Sequence, residues 1–150
     1  MKRTTAREIA VRLCFAISEN PDNNIEQLLE RTFDKEYYST LKDEDELYSS
    51  RPNKKQLDYI INLVTGIDGH SAELDGYIDK YSVGWKFGRI SRTAAAILKL
   101  AMYEVLYMPD IPNAAAINEA VELAKRYEEP ETVSFINGIL GSFSRNEIGE

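Results

Sequence analysis

Apolar residues recur at spacings of three and four along most of the chain, the period of a helix with one buried face. Ala6, Ile9, Ala10, Leu13 and Ile17 predict a first helix that stops near the turn-rich ENPDN at 19–23. A second follows from Ile25, Leu28, Leu29 and Phe33. A third follows from Leu57, Ile60, Ile61, Val64 and Ile67, and Leu74, Ile78 and Tyr81 continue the pattern beyond GIDGHS. Between the second and third, YYSTLKDEDELYSSRPNKK is mixed and charged and reads as a loop with room for one short helix.

SVGWKFGRIS at 82–91 breaks the rhythm with two glycines. Ser91 then suits the N-cap of a long helix, RTAAAILKLAMYEVLY, which MPDIP ends because Pro109 and Pro112 lack backbone donors. In NAAAINEAVELAKRY, Asn113 suits a cap, and Ile117, Ala120, Val121 and Ala124 share a face. Pro130 fits the first turn of a last helix, ETVSFINGILGSF. Sustained alternation of period two is missing. The expectation is an all-α fold of about seven helices, with a helical subdomain over 1–82, a second over 83–150 and a seam near 82–90.

Composition narrows the class of function. A chain of 150 residues, 43% hydrophobic and 29% charged, suits one domain or two small subdomains. Its apolar runs are far shorter than a membrane span. The basic start lacks the hydrophobic stretch and cleavage site of an export signal, and Cys14 is the one cysteine. A cytoplasmic protein is expected.

Chemistry is sparse. His70 is the sole histidine, in a turn context, and cannot by itself assemble a triad or a multi-histidine metal site; a surface or capping role fits it. Cys14 lies among apolar neighbours and reads as a small, buried or half-buried hydrophobe. Gly84 and Gly88 match no phosphate-binding loop. KDEDE at 42–46 lacks the glycine and spacing of a calcium loop and reads as a solvated face. No cofactor, no metal and no catalysis are expected, which leaves binding.

The net charge of −7 excludes indiscriminate coating of nucleic acid. The acidity is uneven, however. Residues 1–12 carry four cations, Lys2, Arg3, Arg7 and Arg12, against one acid, Glu8. On a helical wheel Arg3 and Arg7 border the apolar stripe of the first helix, and Phe15 points away from it, flanked by Val11 and Arg12. An aromatic ring beside guanidinium groups suits single-stranded RNA, whose bases stack and whose phosphates take forked hydrogen bonds. The plainer reading is that Phe15 packs on a second helix and the arginines are ordinary surface charge. Both readings stay open at this point.

Three stretches stand out together: AINEAVELAKRY followed at a set spacing by FINGIL, AILKLAMYEVLY with its IP stop, and TAREIAVRLCF at the start. In these the chain resembles the bacterial transcription antitermination factor NusB family, the spacing included. The resemblance spans nearly the whole chain and is most specific in the C-terminal half. It implies two helical subdomains packed across each other. It also implies binding of boxA RNA in ribosomal RNA transcripts together with NusE, a ribosomal small-subunit protein, and entry into an RNA polymerase antitermination complex. By the same resemblance Lys2, Arg3, Arg7 and Arg12 fall at the family's basic and polar RNA positions, Phe15 at an aromatic one, and Tyr81 and Lys99 near RNA-facing positions on later helices. Thr4 and Thr5 interrupt an arginine run common in relatives, and Ala94 and Ala95 replace an acid and a base. These departures lower the RNA affinity expected of the chain.

Two other functions compete. Similar domains precede an RNA cytosine methyltransferase, but that enzyme needs a glycine-rich cofactor domain, which is not found here. A protein-interaction module of the same fold with weakened RNA binding is the nearer alternative. Alanine-rich helices permit homodimer contacts without requiring them.

Overall fold

The computed structural model describes residues 1–82 and 90–149, and every absence noted below is of these. They form eight α-helices: α1 (Arg3–Glu19), α2 (Ile25–Thr32), α3 (Lys35–Leu41), α4 (Lys54–Gly69), α5 (Ser71–Tyr81), α6 (Arg92–Tyr107), α7 (Asn113–Tyr127) and α8 (Pro130–Phe143). A single 3-10 turn spans Glu46–Tyr48 and a π turn spans Ser144–Ile148. Strands are absent among the described residues, so the all-α class holds. No helix there is long and apolar enough to cross a membrane.

The chain divides into two compact units, Met1–Thr65 and Gly66–Glu150, with the division inside α4. Of the seam expected near 82–90, residues 83–89 lie outside the described residues.

In the first unit the predicted stripe is buried at Ala6, Ile9, Ala10 and Leu13, while Ile17 is half-buried. The α1 helix stops at Asn20, whose N–H reaches back to the carbonyls of Ala16 and Ile17. Side-chain caps start the next elements. Asn24 accepts from the Gln27 N–H at 3.1 Å, and Asp34 accepts from the Tyr37 N–H at 3.1 Å. Asp45 accepts from the Leu47 N–H at 2.9 Å and opens the 3-10 turn. The stretch read as a loop is therefore ordered by two acidic caps. Its short helix shows no apolar period because Tyr38 is the one buried residue of α3.

Tyr38 is the pin of this region. Its ring stacks on Phe33 at 5.9 Å and meets the edge of Tyr48 at 5.7 Å, while its hydroxyl donates to the Ser50 carbonyl at 2.9 Å. Burial pushes its pKa up to about 12, with Tyr48 adding to the rise and Arg51 opposing it. The folded state thus holds the phenol neutral after the unfolded chain has ionised near pH 10. Stability contributed this way is complete below pH 10 and lost as pH rises toward about 12. Unfolding scans should show a steeper alkaline decline in the wild type than in Tyr38→Phe; equal slopes would contradict it.

In the second unit α6 is central. It packs on α5, α7 and α8, and α8 also meets α5 and α7. Ser91 caps α6 as expected, accepting from the Ala94 N–H at 3.0 Å and donating to Glu128 Oε1 at 2.6 Å. Asn113 does not cap α7. It is the first helical residue, and Pro112, which has no side-chain cap, takes the N-cap position. The buried face of α7 is Ala116, Ala120, Leu123 and Ala124, leaving Ile117 and Val121 half-buried. Alanines four apart let helices approach closely, which rotates the packed ridge away from the larger residues. Pro130 opens α8 at its first turn. Gly66 has no room for a side chain, because a Cβ there would collide with the hydroxyl of the buried Tyr103.

Candidate nucleic-acid interface

Helix α1 carries the predicted cations, and their surroundings differ. Lys2 is exposed at the N-cap position. Arg3 is exposed with its guanidinium 5.0 Å over the ring of Tyr59, a cation–π contact that steadies it without neutralising it. A hollow beside it is lined by Arg3, Asn53, Lys55, Gln56 and Tyr59, and Gln56 donates to the Met1 carbonyl. Lys55 is exposed and adds a cation next to Arg3 that the sequence reading passed over. The lysine pair in NKK at 53–55 was its only signal.

Arg7, one helical turn on, is 4% exposed, beside Glu8 at 2%. Its side chain belongs to the interior, and the residue is not without a partner there. Arg12 is partly exposed. It forms an ion pair with Asp45 at 2.8 Å and a longer one with Glu8 at 3.5 Å, and its guanidinium lies 5.8 Å from the Tyr48 ring. The acidic KDEDE segment thus reaches an α1 arginine through Asp45, which a solvated face would not do.

Phe15 and Cys14 are half-buried. Partial burial leaves Phe15 available for a base and also for packing. Phe15→Ala should weaken RNA binding by roughly 1–3 kcal/mol, the worth of one stacked base. The accompanying stability loss should fall short of the roughly 3–5 kcal/mol of a fully buried phenylalanine. Parallel RNA titration and denaturant unfolding measure both; a full core penalty with unchanged affinity would assign the ring to packing.

Tyr81 and Lys99 belong to the second unit and are described within it. Lys99 is 19% exposed and ties α6 to α5 through Asp75 at 2.7 Å and Ser71 Oγ at 3.3 Å. Tyr81 ends α5; its hydroxyl donates to Glu147 and its ring lies edge-on to Phe143 at 6.3 Å. Burial, followed by the bond to Glu147, raises its pKa. His70 occupies the N-cap position of α5 but its side chain makes no cap. Instead it stacks on Tyr107 at 4.2 Å. Thr4 is exposed and Thr5 half-buried, whereas Ala94 is fully buried and Ala95 half-buried. No group of three or more potential metal ligands forms among the described residues.

Residues 4–145 match the model of the NusB family. The chain belongs to the NusB family. It is 43% identical over 141 residues to the transcription antitermination protein NusB of Acetivibrio thermocellus, an alignment covering 94% of this chain and 87% of that protein. The namesake of Levilactobacillus brevis is 37% identical, with 93% of this chain and 90% of that protein covered. Among solved structures, T. maritima NusB superimposes with a TM-score of 0.77 at 29% identity, covering 97% of this chain and 92% of that one. NusB from Aquifex aeolicus, at 21% identity and a TM-score of 0.69 over 99% and 92% of the two chains, confirms the fold. The NusB match begins at Thr4 and so takes in most of α1, though Lys2 and Arg3 lie just before it.

Proposed function

We propose that this NusB-family chain is a non-enzymatic transcription antitermination factor that binds boxA-type single-stranded RNA together with NusE and joins an RNA polymerase antitermination complex. The observation that carries the RNA reading is the cluster of exposed cations Lys2, Arg3 and Lys55 at one end of α1, in a chain of net charge −7. Such a local patch on an acidic protein attracts phosphate at one place and repels it elsewhere. Arg12 and the half-buried Phe15 lie further along the same helix, and Arg7, between them and the patch, is buried. Tyr81 and Lys99 complete the proposed RNA residues.

A second reading, a protein-interaction module with weakened RNA binding, is favoured by a specific pattern. Arg7 is buried, and Arg12 and Lys99 are both held by carboxylates. Titration of the protein with a labelled boxA-like RNA and a scrambled control, with and without NusE, separates the two. The RNA reading expects a preference for the boxA-like sequence and a marked gain with NusE. Equal, weak binding to both RNAs in either condition would favour the second.

The interrupted arginine run gives a further expectation. Thr4 is exposed and Thr5 half-buried, so arginines there would extend the patch. Thr4→Arg with Thr5→Arg should tighten RNA binding and steepen its salt dependence by roughly 0.7 per phosphate gained. Unchanged affinity and slope would place the RNA surface elsewhere.

A further inference from the structure

Helix α8 ends at Phe143 in a π turn, Ser144–Ile148, rather than in an ordinary last turn. Single π turns are rare and frequently accompany functional sites. Asn146 donates to the Ser142 carbonyl at 2.8 Å, and Gly149, at φ 85°, closes the turn by donating its N–H to the Ser144 carbonyl at 3.0 Å. This path delivers Glu147 to the end of α5. There Lys80 Nζ donates to Glu147 Oε2 at 2.7 Å, and the Tyr81 hydroxyl donates to the same oxygen.

An ammonium and a phenolic hydroxyl converging on one anionic oxygen form the donor set that a phosphate oxygen takes. We propose that Lys80 and the Tyr81 hydroxyl form an anion site that Glu147 fills in the RNA-free chain, and that a backbone phosphate of bound RNA displaces the carboxylate. Glu147 thereby acts as an internal competitor. The inference rests on the RNA reading above but concerns residues none of which is a cation of α1.

Three observations support it. The Lys80 side chain is 60% exposed and that of Glu147 19%, so a ligand can reach the ammonium, and an ion pair with its cation in solvent is weak enough to be exchanged. Lys80 and Tyr81 hold the Glu147 carboxyl below its ordinary range, so the site favours negative charge. The Lys80 ammonium also lies 5.2 Å over the Tyr81 ring, which keeps the two donors together.

The test is RNA affinity and its salt slope, by anisotropy with a boxA-like oligonucleotide, for wild type, Glu147→Gln, Lys80→Gln and the double variant. Glu131→Gln, an exposed acid elsewhere on α8, controls for net charge. Glu147→Gln should tighten binding several-fold and steepen the slope by roughly 0.7, one phosphate contact on a single strand. In the Lys80→Gln background the same change should gain less than about two-fold, because the donor it uncovers is missing. Independently of any variant, the Tyr81 ring signals of the wild type should shift when RNA is added. A gain no larger than that of Glu131→Gln, a gain that survives Lys80→Gln, or unmoved Tyr81 signals would overturn the proposal. Loss of affinity in a Lys2/Arg3 variant with no effect of Glu147→Gln would remove this site and keep the RNA reading. The reverse pattern would remove the α1 reading and keep this site, and absence of RNA binding in every variant would remove both.

Discussion

Replacing Lys2 and Arg3 together with glutamine is expected to lower affinity for boxA-type RNA about 100-fold at low salt. Both side chains are exposed at the start of α1, and each can give a charge-assisted bond to a phosphate. Such a bond contributes roughly 1.5 kcal/mol at the lower end of its range, which is about ten-fold in affinity. Two lost phosphate contacts should also flatten the salt dependence by roughly 1.4, at about 0.7 for each contact on a single strand. Folding should be nearly unaffected. The Lys2 side chain caps nothing, and the Arg3 contact with Tyr59 is worth no more than about 1 kcal/mol at an exposed site. Titrations at several salt concentrations, with thermal unfolding as control, measure both parts. An unchanged slope would show that neither cation meets a phosphate.

Arg7→Ala should act on folding first. From the helical wheel alone, a guanidinium at the edge of the stripe is expected to be removable at little cost to stability. At 4% exposure the expectation reverses. A buried guanidinium has exchanged water for protein partners, and truncating it strands those partners and empties the space of its aliphatic stem. The loss should be roughly 2–4 kcal/mol. In a chain of this size that lowers the melting temperature by about 5–15 °C. RNA affinity of the fraction that remains folded should fall less than in the Lys2/Arg3 variant. If Arg7→Ala melts like the wild type yet loses RNA binding, the side chain reaches RNA and its buried placement is not the one that matters.

Arg7 also shows where sequence ends as a guide. The period of Ala6, Ile9, Ala10 and Leu13 marks a buried face, and the helices it predicted are present because burial of that face is what stabilises them. Ser91 and Pro130 were legible for a similar reason: a cap and a first-turn proline are local chemistry. A wheel cannot say whether the border of a stripe faces water or protein, so Arg7 read as surface. Nor can local pattern show that Asp45 meets Arg12, or that Glu147 meets Tyr81, since both contacts join distant stretches of chain. The α3 helix buries a single tyrosine and so leaves no apolar period, which is why its stretch reads only as a loop with room for one short helix, and the rotation of α7 onto its alanines follows from contact with a neighbour. The RNA positions themselves came from family resemblance together with charge, and for Lys2, Arg3 and Arg12 their placement leaves side chains partly or wholly exposed.

Chemical-shift mapping of the amide and side-chain signals during titration with a boxA-like RNA locates the RNA surface residue by residue. The largest changes are expected at Lys2, at Arg3, Arg12 and Phe15 of α1 and at Lys55, with a second set at Lys80 and Tyr81. Changes confined to other surfaces, such as α7 and the start of α8, with the first turns of α1 unmoved, would contradict an RNA surface on α1.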